Sequence, residues 1–210
     1  MLVHLLTVVL FQAASPGTVP SSAVPGGVAA SGAATVSPEV VCAVQRAVRW
    51  REEAWTEEEC RARERDYADA GLRWNLLPVQ LMAISIVESD LRVRAQRVVG
   101  RKLDLGLMGV RCVLGLRRRG RCANWPVRGL TPTQVMEPRR NIEKGAEIMA
   151  ELHHGDLSSY NSGHKGGTRY PAKVAAIVSA LGGIETRVVG KRLRKLVNQI
   201  AKVVREKRTS

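Results

Sequence analysis

The stretch from Leu81 to Gly109 decides the fold, and it reads LMAISIVESDLRVRAQRVVGRKLDLGLMG. Residues 81–87 are almost all apolar, and Pro78 precedes them at a position that suits the first turn of a helix. An apolar segment of this length is too short to cross a membrane. It therefore predicts a core helix that is buried on nearly all sides and ends close to Glu88.

A carboxyl group at the end of such an apolar helix has an unusual environment. Burial disfavours the charged form of Glu88, and the negative end of the helix dipole disfavours it further. Both effects raise the pKa and leave a carboxylic acid that can donate a proton near neutral pH. The alternative for a single glutamate is a side chain that simply points into water at the helix exit.

The composition predicts one well-buried, helix-rich domain with extensions. The chain has 210 residues, of which 45% are hydrophobic and only 4% aromatic, and its formal net charge is +14. The basic residues are concentrated in two segments: residues 187–210 hold nine Lys or Arg and one Glu, and residues 100–128 hold eight and one Asp. Two such patches favour a polyanionic partner, which can be a cell-wall polymer, an anionic membrane or nucleic acid.

The N-terminal segment carries no Lys, Arg, Asp or Glu before Glu39. Residues 1–15 combine an apolar run with small residues and are interpreted as a secretory signal peptide, although the usual basic start is missing. A membrane anchor would need a longer apolar run. Residues 16–38 are rich in Ser, Pro, Gly and Ala and are predicted to be a flexible linker. The protein is therefore expected to be exported, to the periplasm or the cell exterior.

Capping patterns and periodicity predict the remaining helices. Ser37 and Pro38 open one helix, and the capping box that starts at Thr56 opens a second that is expected to end near Gly71. Further helices are predicted over residues 142–152 and 172–181.

Three other segments are less regular. Residues 92–102 are interpreted as a solvated basic loop, and residues 111–128 as an insertion. Residues 183–210 form a basic amphipathic pattern, which predicts a C-terminal helix. That helix can pack back on the domain, lie on an anionic membrane or bind an acidic polymer.

Four cysteines in an exported chain favour disulfide bonds, and they allow three connectivities. We predict that Cys112–Cys122 closes the insertion and that Cys42–Cys60 joins the first two helices. The second pair requires that the two cysteines lie on helix faces that meet. No zinc site is expected, because there is no CxxC spacing and His153 and His154 are adjacent.

Several short motifs follow one another in a fixed order. They are Glu88-Ser89, Asp104-Leu105-Gly106-Leu107-Met108, Asn141-Ile142 with Gly145, Tyr160-Asn161-Ser162-Gly163, and Tyr170 with Lys173-Val174. Each is weak alone, but the ordered set resembles the soluble lytic transglycosylase (SLT) family over roughly residues 67–181. The resemblance implies a mainly α, lysozyme-like fold of the goose-type class, which we assign to residues 39–182.

The family implies a single catalytic glutamate, which corresponds to Glu88, and no cofactor. This residue would act first as an acid and then as a base on the bond between N-acetylmuramic acid and N-acetylglucosamine in peptidoglycan strands. The product would be a 1,6-anhydro sugar, and no water would be consumed.

The other expected site residues come from the same resemblance. Ser89 would orient the carboxyl group, Met108 would lie under a sugar, and Tyr160 would lie over the scissile bond. Asn161 would contact sugar, and Tyr170 would edge the cleft. The chain departs from the family at Gly109, where a Gln commonly follows the Met.

Three other functions compete with this interpretation. A hydrolase of the same fold, a muramidase, would normally need a second carboxylate, and Asp90 and Asp104 are the near candidates. A catalytically weak wall-binding protein is the second, for which Gly109 is the main argument. A nucleic-acid binder could use the basic patches, but it fits poorly with export, so no specific nucleic-acid partner is expected.

Overall fold

A computed structural model describes residues 36–48, 54–115, 120–157, 160, 169–183 and 191–209. The predicted signal peptide and nearly all of the predicted linker lie outside the described residues. Asn161 lies outside them as well. All of the described residues belong to one compact unit, which spans residues 32–210.

Helices account for most of the described chain, so the prediction of a mainly α fold is confirmed. They are α1 (Pro38–Val48), α2 (Glu57–Trp74), α3 (Pro78–Ser89), α4 (Pro132–Met136), α5 (Pro138–Glu151), α6 (Arg169–Leu181) and α7 (Lys191–Arg208). A small antiparallel sheet has the strand order β1-β2-β3, with β1 (Gln96–Val99), β2 (Lys102–Leu105) and β3 (Val110–Val113).

Helix α3 is the apolar core helix that the sequence predicts. Residues 81–86 are all buried, and Pro78 occupies the first turn. The helix packs against α2 on one side and against α6 on another. No single helix in the described part of the chain is long and apolar enough to cross a membrane. Among the described helices, only α2 and α3 taken together have the length and composition for it, and the chain bends by 116° between them.

The end of α2 differs from the prediction. The capping box at Thr56 is present, but the helix continues past Gly71 to Trp74 and ends at Asn75, which adopts the left-handed conformation with φ 52°. Gly71 is needed for packing rather than for termination, because a Cβ there would lie 2.7 Å from the carbonyl oxygen of Leu76. The segment between α2 and α3 therefore passes close to Gly71, where a larger residue would not fit.

The sheet lies where the sequence pattern predicted a solvated loop and an insertion. The loop prediction for residues 92–102 is wrong at residues 96–99 and at Lys102, which lie in β1 and β2, and residues 111–113 at the start of the predicted insertion belong to β3. Leu103 and Leu105 of β2 are buried and alternate with exposed or half-buried residues, which is the pattern of a strand with one face on the core. The many charged residues that alternate with them obscured this short period in the sequence.

Both predicted disulfide bonds are present. Cys42–Cys60 joins α1 to α2 with a Cα–Cα distance of 5.5 Å, and Cys112–Cys122 closes the loop after β3 with a Cα–Cα distance of 5.0 Å. Two disulfide bonds are typical of proteins that fold in an oxidising compartment.

The basic C-terminal helix packs back on the rest of the unit. Helix α7 contacts both α1 and α6, and its inner residues Val197, Ile200 and Val204 are buried in the common core. At its end, Arg208 donates a hydrogen bond of 2.8 Å to the carbonyl of Gly182, just after α6. Helix α7 is therefore part of the packed unit and not a separate tail.

We expect Ile200→Ala to lower the free energy of unfolding by about 2–5 kcal/mol, because it leaves a cavity in a core that α7 completes. Asn198→Ala, on the exposed side of the same helix, is the matched control and should change stability by less than about 1 kcal/mol. Urea denaturation measures both. Equal effects of the two variants would contradict the packing of α7 into the core.

Candidate active site

Glu88 is the penultimate residue of α3, and its side chain is half-buried. The helix ends abruptly after it, because Asp90 (φ 52°) and Leu91 (φ 61°) both adopt the left-handed conformation. Two consecutive non-glycine residues in this region are unusual and are found where surrounding structure enforces them. Leu91 is buried, so core packing holds this sharp exit and fixes where the carboxyl group lies.

Tyr170 holds the carboxyl group. Its hydroxyl donates a hydrogen bond of 2.6 Å to Oε1 of Glu88, across 82 residues of sequence. Tyr170 lies in the first turn of α6 and is itself buried. The packing of α6 against α3 therefore brings a phenol onto the predicted acid, a contact that the sequence patterns did not predict.

The surroundings raise the pKa of Glu88 above its ordinary value of 4.5, and burial is the largest cause. The hydrogen bond from Tyr170 opposes the rise, because it stabilises the carboxylate, while the negative charge of Asp104 adds to it. Arg111 and Arg97 act in the opposite direction and favour the ionised form. As a net effect, Glu88 stays protonated up to a higher pH than an ordinary glutamic acid does.

A buried amide organises the turn beside Glu88. Asn141 of α5 donates from Nδ2 to the carbonyls of Leu105 (2.8 Å) and Val135 (2.9 Å), and its Oδ1 accepts from the N–H of Met108 (2.7 Å). A Cβ at Gly106 would lie 2.5 Å from Asn141 Nδ2, so only glycine fits there. The sequence motifs include Asn141, but no role was predicted for it. A primary amide on the apolar stripe of α5 was the available signal.

Met108 does not have the exposure that contact with a sugar needs. Its side chain is 0% exposed and packs against Gly145, where a Cβ would lie 2.5 Å from the Met108 Cβ. The hydroxyl of Ser85 approaches its sulfur at 3.1 Å. The core-facing interpretation of Met108 is the one that the structure supports, and the expected contact with a sugar is wrong for this side chain.

The backbone of Met108 has a different role, since its carbonyl accepts a hydrogen bond of 3.0 Å from the hydroxyl of Tyr160. The ring of Tyr160 stacks on that of Tyr170 with a centroid distance of 6.1 Å and meets His153 edge-on at 5.4 Å. Burial raises the pKa of Tyr160, so its phenol stays neutral. Of the predicted site residues, Glu88, Tyr160 and Tyr170 are thus brought together.

Ser89 does not hold the acid in place. Its side chain is buried, and its hydroxyl donates to the carbonyl of Ser85 at 2.9 Å, one turn back along α3. That hydrogen bond belongs to the helix itself. The orienting contact on Glu88 that was expected from Ser89 comes from Tyr170 instead.

Gly109 lies directly against the acid. It adopts φ +61°, and a Cβ at this position would lie 3.1 Å from Oε2 of Glu88. A glutamine here would be strained by its backbone and would press on the carboxyl group whose other oxygen Tyr170 holds. The glycine that replaces the family's glutamine at position 109 therefore leaves room for the carboxyl group of Glu88 in this chain.

A second carboxyl group lies on the neighbouring sheet. Asp104 accepts hydrogen bonds from Nε (2.8 Å) and Nη2 (3.2 Å) of Arg111, its direct partner across β2 and β3. This two-point pairing is a strong geometry for a carboxylate. Asp104 is half-buried, and its negative charge contributes to the raised pKa of Glu88.

Within the described ranges, no group of three or more His, Cys, Asp or Glu side chains could hold a metal ion. Comparison of the chain with protein-family models, with curated proteins and with solved structures found no match.

We expect Gly109→Ala to destabilise the protein more than Gly100→Ala. Both positions have nearly the same φ, +61° and +60°, so both substitutions carry a backbone cost of roughly 1 kcal/mol. A Cβ at Gly100 has nothing within 4 Å, whereas at Gly109 it meets Glu88. The difference between the two free energies of unfolding, from urea denaturation, isolates the contact with the acid. A smaller cost at position 109 would contradict the close approach.

Proposed function

We propose that this protein is a peptidoglycan lytic transglycosylase. The observation that carries the proposal is the half-buried Glu88 at the end of α3, whose pKa is raised by burial and which Tyr170 holds by a hydrogen bond. A protonated carboxyl group in a fixed orientation is what a general acid needs. The order of the sequence motifs around it adds support from the resemblance.

In the proposed reaction, Glu88 transfers its proton to the glycosidic oxygen as the bond to C1 of N-acetylmuramic acid breaks. The sugar's own acetamido group stabilises the positive charge that develops at C1. The Glu88 carboxylate then accepts the proton of the C6 hydroxyl as O6 bonds to C1. The acid is restored, the 1,6-anhydro ring is closed, and no second carboxylate is required.

Tyr170 suits both halves of this cycle. Its phenol donates to the carboxyl group, and a donor of this kind stabilises the carboxylate that exists between the two proton transfers. Burial and the neighbouring Glu88 raise the pKa of Tyr170, so it remains a neutral donor throughout. Tyr160, stacked on Tyr170, adds an aromatic surface beside the acid that is suited to a sugar ring.

A lysozyme-like fold and an exported location are part of this proposal. A lysozyme-like arrangement would have the acid at the end of a core helix with a small antiparallel sheet beside it, and α3 with β1–β3 is compatible with that arrangement. An exported, cell-wall-associated protein would account for the two disulfide bonds and for the N-terminal pattern.

A hydrolase of the same specificity is a second candidate, and Asp104 favours it. This carboxyl group lies close enough to Glu88 to raise its pKa, and glycoside hydrolases pair an acid with a second carboxylate. The two bonds from Arg111 hold the Asp104 carboxyl group in one orientation, as a nucleophile or base would need. In a transglycosylase, Asp104 would have no part in proton transfer.

Mass spectrometry of the products from purified sacculi tests the proposal. The wild-type chain should release muropeptides with 1,6-anhydro ends, and Glu88→Gln should lower their release at least about 100-fold, because the amide cannot donate the proton. Glu58→Gln, an exposed glutamate on α2, is the control and should keep full activity.

Products with reducing ends, together with loss of activity in Asp104→Asn, would establish the hydrolase instead. Unchanged release of anhydro products by Glu88→Gln would defeat both candidates. Binding of the wild-type chain to sacculi without any cleavage would point to a wall-binding protein.

A further inference from the structure

Three charged residues form a row across the sheet. In the strand register Arg97 of β1 lies opposite Asp104 of β2, which lies opposite Arg111 of β3. Directly opposed residues in antiparallel strands share one face of the sheet. Leu103 and Leu105 of β2 point to the other face and are buried, so this row is on the solvent side.

The row contains two arginines and one aspartate, so one positive charge in it is not neutralised. Arg111 uses Nε and Nη2 to bind Asp104, which leaves its Nη1 group unengaged by the described residues. Arg97 is exposed and makes no hydrogen bond or ion pair with any residue that the structure describes. A guanidinium group without an anionic partner is a strong donor set for a carboxylate or phosphate.

The row lies beside the acid. Arg111 follows Gly109 by two residues, and a Cβ at Gly109 would lie 3.1 Å from Oε2 of Glu88. The positive charges of Arg111 and Arg97 both act on Glu88 and favour its ionised form. A cation next to a general acid favours the ionised form of that acid, and a bound anion would offset the effect.

We propose that Arg97 and the free Nη1 edge of Arg111 form a subsite for a carboxylate carried by the sugar beside the bond that Glu88 cleaves. This inference rests on the proposed function and adds to it a preference for an anionic substituent. Muramic acid bears such a group when no peptide is attached, since its lactyl ether then ends in a free carboxylate. Neutral glycans of the same backbone would lack this contact.

Two glycan strands of equal length test the subsite, one with free lactyl carboxylates and one in which the same carboxylates are converted to amides. The full chain should cleave the first with a KM about tenfold lower, as expected for a hydrogen bond to a charged group. Arg97→Gln should remove this difference in KM between the two strands. Arg97→Lys should restore part of it, and Arg65→Gln, an exposed arginine on α2 that carries the same change of charge, should keep the full preference.

Binding to catalytically impaired chains separates this inference from the proposed function. Dissociation constants are measured for both strands with Glu88→Gln and with Glu88→Gln combined with Arg97→Gln. Tighter binding of the carboxylate strand that disappears in the double variant supports the subsite, whether or not the wild-type chain cleaves. Equal affinity for both strands, or a preference that survives in the double variant, overturns it. Absence of cleavage of either strand by the wild-type chain would count against the proposed function alone.

Discussion

The hydrogen bond between Tyr170 and Glu88 is the constraint on which the rest of the site depends. Burial alone would leave a glutamate that could turn toward water to recover its hydration. The 2.6 Å bond to a buried phenol fixes one carboxyl oxygen, and the other lies where a Cβ at Gly109 would approach it to 3.1 Å. The carboxyl group is thus kept in one place and in a poorly hydrated environment, where burial can raise its pKa.

Several features of the fold maintain that contact. Core packing of α3 carries Glu88 to the helix end, and the two left-handed residues after Ser89 turn the chain away at once. The three hydrogen bonds of Asn141 then hold the turn that ends at Gly109. The left-handed backbone carries a cost in stability, which is typical of functional sites, whereas the fully paired amide of Asn141 makes the turn rigid.

Much of this framework could be predicted from the sequence, because the framework depends on local signals. The apolar run of α3, the capping box at Thr56 and the helical stripe of α7 are properties of adjacent residues. The raised pKa of Glu88 also followed from its place at the end of an apolar helix. Both disulfide pairs could be favoured from the predicted elements that they join.

The remainder depends on contacts between distant residues, which local patterns do not reveal. The short strands were missed because charged residues alternate with their apolar positions, and the phenol on Glu88 depends on how α6 packs against α3. Burial of the Met108 side chain rules out the expected contact with a sugar. The hydroxyl of Ser89, which was expected to orient Glu88, donates instead to a carbonyl within α3. The row from Arg97 to Arg111 appears only once the strand register is known.

Direct titration of the Glu88 carboxyl carbon by NMR tests the central claim, which is that this group stays protonated beyond the pH at which an ordinary glutamic acid ionises. The account predicts a pKa above 4.5 in the wild-type chain. It also predicts a still higher pKa in Tyr170→Phe, because that substitution removes the donor that stabilises the carboxylate. A wild-type pKa at or below 4.5, or a pKa that falls when the phenol is removed, would contradict it.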